Sequence, residues 1–163
     1  MKDSNRSQDR QWFIDNFAPA SQLESKLIPD ILGRDVCPPS KALFPVDLPG
    51  TVLETLGKRF SCPDEAILGA AFGLTLSVWS ADTRSCFSLR WGGAPECPVY
   101  VEWTPDKAVG SVIEAVSAQI KGAAEHSGYS FKEAAEELEL DRSVVFAGPG
   151  TGDGSVFPAL LKT

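Results

Sequence analysis

Histidine occurs once in this chain, at position 126, and methionine once, at position 1. A single imidazole removes any two-histidine catalytic pair and, with the cysteine spacing below, the usual zinc sets. Cys37, Cys62, Cys86 and Cys97 stand 25, 24 and 11 positions apart, and no C-x-x-C pair occurs among them. They form no zinc ribbon or redox motif. The stretch Met1–Arg10 has no apolar run of the kind a secretory signal needs, so a reducing, cytoplasmic setting is expected. The thiols should then pack as small hydrophobes and not as disulfides. Long apolar runs are missing as well. The longest, Ala66 to Trp79, has 14 residues, against the roughly 20 that span a bilayer. Clusters of Lys and Arg are absent and the net charge is −7, so neither nucleic acid nor a membrane surface is an expected partner.

What is present suits one globular domain. The 163 residues are 43% hydrophobic and 23% charged, enough to bury a core. Residues 1–9 are expected to fray. Trp12, Phe13, Ile14 and Phe17 predict a short helix over Arg10–Phe17, stopped by Pro19. A second helix is expected from a Ser21 cap to Gly33, then a linker over Asp35–Ser40 and a strand over Ala42–Val46. Leu48–Phe60 reads as a helix entered through Pro49. Ser61, Pro63 and Asp64 predict an N-capped helix to Trp79, apolar nearly all round and therefore buried, with Gly69 and Gly73 on one face for close packing. Arg84–Trp91 and Pro98–Trp103 read as strands around a Gly92-Gly93 turn. Asp106 is the expected cap of a helix over Lys107–Glu125 with the stripe Val109, Val112, Ile113, Val116, Ile120 and Ala123. Phe131–Leu138 is a short helix and Val144–Ala147 a strand. The alternation predicts an α/β fold: one layered domain, a mixed sheet with helices packed on it. Three segments are expected: an N-terminal helical segment and linker (1–40), an α/β lobe (41–147), and a Gly-rich linker and tail (148–163).

Several groups invite a chemical reading. His126, at a helix end, has the chemistry of a general base, but Ser127 and Ser130 are neighbours only in sequence, and a structural role is expected. Gly148-Pro-Gly-Thr-Gly-Asp-Gly-Ser155 follows a strand, as phosphate loops do. It lacks the closing Lys-Ser/Thr pair, and Asp153 and Ser155 occupy the places where G-x-G-x-x-G requires its third glycine, so it reads as a linker. Glu133, Glu136, Glu137, Glu139 and Asp141 crowd one short helix beside Lys132 and Arg142 and read as a solvated face. Trp12, Trp79, Trp91 and Trp103 lie at element ends and read as core or interface anchors, since basic residues do not interleave them. No catalytic, cofactor-binding or metal-binding residue is assigned.

The stretch Ala123 to Phe146 carries the strongest resemblance. A helix ending near His126, a turn leading to Phe131, a short helix to Leu138 and a strand over Ser143-Val-Val-Phe146 follow one another in the order seen in the condensation domains of nonribosomal peptide synthetases. The likeness extends back to about Ala42. Val46-Asp-Leu-Pro-Gly-Thr-Val-Leu-Glu-Thr-Leu56 is similar to that family's strand-and-helix entry, and Asp64–Trp79 to its apolar core helix. Arg10-Gln-Trp-Phe13 is similar to the Tyr-Trp phrase that precedes this region.

The resemblance implies part of one lobe, the second, of a two-lobed chloramphenicol-acetyltransferase-like fold, starting at Met1. In that family a carrier-bound amine attacks a carrier-bound thioester between the lobes. The signature H-H-x-x-x-D-G belongs to the preceding region, and this sequence contains neither it nor the later D-F-G-W-G phrase. The resemblance therefore implies a truncated, non-catalytic structural or docking module without cofactors. Its expected partners are an adenylation or carrier domain, or a second copy of the chain. Two alternatives stand beside it: half of a split condensation enzyme completed by a partner with the paired histidines, and an unrelated small α/β interaction domain.

Overall fold

The structure is a computed structural model that describes residues 2–21, 23, 49–142, 144–148 and 159–162. In chain order the described elements are α1 (Lys2–Phe17), a 3-10 turn (Ala18–Ala20), α2 (Gly50–Phe60), α3 (Asp64–Ser80), β1 (Arg84–Arg90), β2 (Cys97–Glu102), α4 (Val109–Glu125), α5 (Phe131–Glu137), β3 (Val144–Ala147) and β4 (Ala159–Lys162). The expected linker over Asp35–Ser40 and strand over Ala42–Val46 lie outside the described residues. So does the helix expected over Ser21–Gly33, apart from Ser21 and Leu23.

The four strands form one mixed sheet in the order β2-β1-β3-β4. β1 and β2 pair antiparallel, with Phe87 opposite Val99 and Ser85 opposite Val101. Their connection turns at Gly92 and Gly93, whose φ values of +56° and +77° lie in the left-handed region that glycine enters without steric penalty. β1 and β3 run parallel, with Leu89 opposite Phe146. β4 joins antiparallel to β3, so the end of the segment expected as a Gly-rich linker and tail extends the sheet.

Helices α3 and α4 pack on each other and on the sheet, as the fold class requires. α3 approaches closely because its sheet side is built of small residues: Ala66, Gly69, Ala70, Gly73 and Ser77 are all buried. Below it Phe87, Val99 and Val101 are at most 1% exposed, and each such burial is worth about 1.5–3 kcal/mol relative to exposure. The opposite face of β1 is covered too. Cys86 and Ser88 are buried, and the turn Ala18–Ala20 lies against the strand. Phe13 and Phe17 of α1 also belong to this core. No described helix is long and apolar enough to cross a membrane.

Helix boundaries depart from expectation in three places. α1 begins at Lys2, so most of the stretch expected to fray is helical. Ser61 does not cap α3; it ends α2 in the left-handed conformation with φ +50°, and Pro63 stands at the N-cap of α3 without a side-chain bond. Asp106 does not cap α4, which starts at Val109 behind Ala108; the Asp106 carboxyl is held below its ordinary pKa by the Thr104 side chain. Ser61 and Asp106, both locally plausible polar caps, each stand three residues before the helix they were expected to open.

Candidate functional site

The densest cluster of ionisable side chains lies where α1 crosses the turn between α4 and α5. Gly122 on α4 lets the Trp12 indole settle against the helix; a Cβ there would fall 2.7 Å from its Cε2 atom. The indole stacks on His126, with ring centroids 5.0 Å apart and an interplanar angle of 19°. His126 Nδ1 donates to Asp9 Oδ1 at 2.9 Å. Gly128 packs against the same aspartate. The sole histidine is thus engaged by two residues of α1.

α5 adds the rest. Ser130 and Glu133 form a capping box, each side chain bonded to the other's backbone N–H. This fixes the helix so that Glu133 and Glu137 face α1. Arg6 pairs with Glu133. Arg10 grips both oxygens of Glu137, with Nε to Oε2 at 2.9 Å, and Tyr129 donates to the same carboxylate at 2.7 Å. Glu137 is held below its ordinary pKa first by Arg10 and then by Tyr129. Glu133 is lowered first by the Ser130 hydroxyl and then by its backbone N–H, with Arg6 adding to this. The expected solvated acidic face is therefore only partly correct. Glu136 pairs along the helix with Lys132, Glu139 is exposed, but Glu133 and Glu137 bind α1. Arg6, Arg10, Tyr129, Glu133, Glu136 and Glu137 line a shallow, open groove.

Chemically, this arrangement holds a helix in place. Ser130, the serine nearest in sequence to His126 apart from Ser127, is committed to capping, and the Nδ1–Asp9 bond orients an imidazole that stacks on an indole. The arginine partners of Glu133 and Glu137 lie 127 positions away, a separation that carries no helical spacing to read.

A second cluster pins the β1–β2 hairpin. Glu96 accepts from Arg90 Nε at 2.8 Å and from Arg142 Nη2 at 3.2 Å, while Arg142 also lies over the Phe131 ring, 5.2 Å from its centroid. Burial raises the Glu96 pKa, but the bonds from Arg90 and Arg142 help to outweigh it and the net shift is downward.

The remaining candidates are dispersed. Gly148 is buried, donates to Arg90 O at 2.8 Å and has the Trp91 ring against its Cα; residues 149–158 lie outside the described residues. Cys86 and Cys97 are buried thiols pushed up to about 12 by desolvation, well away from thiolate reactivity at neutral pH. Cys62 is half-buried, and Cys37 is outside the described residues. Trp91 stacks on Phe146 and Trp103 packs on the core, whereas Trp79 is 61% exposed. No group of three potential metal ligands occurs among the described residues.

Known structures supply the wider frame. No protein-family model matches the sequence, and no curated protein matches it. Solved structures do. The first condensation domain of the CDA synthetase superposes with a TM-score of 0.63 at 15% identity, over 96% of this chain and 41% of that one. The first condensation domain of the calcium-dependent antibiotic synthetase with substrate analogue 3a gives 0.60 at 16%, over 98% and 39%. A starter condensation domain of the rhizomide synthetase gives 0.56 at 12%, over 88% and 36%. The chain therefore has the fold of part of a nonribosomal peptide synthetase condensation domain, and spans about two-fifths of the length of these structures.

Proposed function

We propose that this chain is a condensation-domain-like module of a peptide synthetase that forms no bond itself and serves as a structural or docking element for an adenylation or carrier domain, in the cytoplasm. The observation that carries the reading is the state of His126. The fold is that of part of a condensation domain, yet the only imidazole is bound to Asp9 and stacked on Trp12, where it fastens α1. General-base help contributes typically 10²–10⁴-fold, and the sequence has no H-H-x-x-x-D-G to provide it.

The test has two arms. Incubated with aminoacyl- and peptidyl-carrier substrates, wild type and His126→Ala are both expected to give no product. In calorimetry, the wild type is expected to bind an isolated adenylation or carrier domain. Turnover by the wild type that vanishes in His126→Ala would overturn the reading.

The coverage of about two-fifths favours one rival, a split enzyme completed by a partner. Adding a polypeptide that carries H-H-x-x-x-D-G would then restore turnover, and that turnover would survive His126→Ala.

A further inference from the structure

Among the described strands β2 stands at one end of the sheet, and its sequence invites pairing. Cys97-Pro-Val-Tyr-Val101 carries no charged residue and centres on Val99, Tyr100 and Val101, all of high strand propensity. An uncharged edge of that kind is a template on which a further strand can add.

The hydrogen-bond phase fixes which backbone groups of β2 face outward. Trp103 N donates to Thr83 O at 2.8 Å, beside the pair Arg84–Glu102. Bonded and non-bonded pairs alternate along an antiparallel ladder, so the bonds to β1 run through Val101, Val99 and Cys97. The backbone groups of Pro98, Tyr100 and Glu102 therefore point away from the sheet. Each of these three positions is closed in a different way. Pro98 has no N–H to offer. Tyr100, in the middle, is engaged on both groups by Gln119 of α4, which accepts from its N–H and donates to its C=O, each at 2.8 Å. Glu102 O accepts from Lys107 Nζ at 3.1 Å.

We infer that the β2 edge is sealed against strand addition and that Gln119 is the plug. With the plug removed, the edge pairs with the same edge of a second copy. Tyr100 of each copy then exchanges with its mate the two bonds that Gln119 holds, and Glu102 N of each donates to Pro98 O of the other. The seal is a property of the chain itself and holds whether or not the chain docks on a synthetase domain. Net charge works in the same direction, since −7 keeps copies apart, so the opened edge is tested where that repulsion is screened.

Sedimentation velocity on the full chain in about 0.5 M salt, where the Debye length is only a few Å, reads the result over a matched concentration series. Gln119→Ala is expected to shift to dimers and larger species relative to wild type. Its far-UV circular dichroism should be unchanged, and amide exchange at Tyr100 should be faster. Gln119→Ala combined with Tyr100→Pro is expected to sediment like wild type again, because proline removes an outward N–H and leaves the bonds to β1 in place. A Gln119→Ala chain that sediments like wild type overturns the inference, as does association that survives Tyr100→Pro.

Discussion

Gly69 and Gly73 look alike in the sequence, four residues apart on one helix, and the structure separates them. A Cβ at Gly69 would meet Val116 Cγ1 at 3.5 Å, an ordinary contact. At Gly73 it would lie 2.9 Å from Val101 Cβ and 3.2 Å from Phe87 Cε1. The Gly73 carbonyl also accepts the hydroxyls of Ser77 and Ser85, at 3.0 and 2.9 Å, which locks the helix to β1. Alanine gains about 1 kcal/mol over glycine inside a helix, while overpacking costs about 1–3 kcal/mol. Gly69→Ala is therefore expected to stabilise the chain by about 0.5–1 kcal/mol, and Gly73→Ala to destabilise it by about 1–2 kcal/mol. Urea denaturation of the two variants checks both signs. The spacing announces a close approach; which glycine makes it depends on where β2 lies, and that is a tertiary fact.

At the scale of elements, periodicity locates the helices and burial refines them. Val112, Ile113, Val116 and Ala123 of the expected α4 stripe are buried, but Val109, the first residue of α4, is 54% exposed. Gln119 shows what apolar periodicity does not carry. Its amide accepts from Tyr100 N and donates to Tyr100 O, both at 2.8 Å. β2 is an edge strand, and at Tyr100 this side chain supplies the two bonds a further strand would make, shielding part of an edge open to unwanted pairing. Gln119→Leu is expected to cost about 1–3 kcal/mol, the penalty of leaving partly buried backbone groups unpaired. Faster amide hydrogen exchange at Tyr100, with the rest of β2 little changed, would confirm the cause. The Ser130–Glu133 box belongs to the other kind of feature: its S-x-x-E spacing is visible in the sequence, although the direction in which it turns Glu137 is not.

For the molecule as a whole, the sheet order and α1 account for most of what the sequence concealed, since both rest on contacts between distant segments. α1 is the clearest instance. Its polar composition suggests a frayed end, yet Phe13 and Phe17 enter the core, and Arg6, Asp9 and Arg10 bind groups more than a hundred positions away. Two tethers thus hold the outer parts of the fold through carboxylates: Glu133 and Glu137 fasten α1, and Glu96 fastens the β1–β2 hairpin to Arg142. All three are held below the ordinary glutamate value of 4.5. A carboxyl whose folded pKa is depressed binds fewer protons folded than unfolded, so its contribution is complete above the unfolded value and is lost as pH falls through the folded one. The melting temperature is therefore expected to hold between pH 7 and pH 5 as far as these groups decide it, and to fall steadily below about pH 4.5. Salt divides the two tethers. The Arg6 and Arg10 pairs are exposed and screened, whereas the Glu96 side chain is only 19% exposed. In about 0.5 M salt, where the Debye length is only a few Å, the acid slope should lose part of the share carried by the Arg6 and Arg10 ion pairs and keep those of Glu96, of the Ser130–Glu133 cap and of the Tyr129–Glu137 bond. Glu96→Gln should lower the melting temperature at pH 7 and flatten the slope that remains. Scanning calorimetry of both proteins from pH 7 to pH 3 at two salt concentrations measures this, and an acid slope unchanged in Glu96→Gln at high salt would remove the hairpin carboxylate from the account.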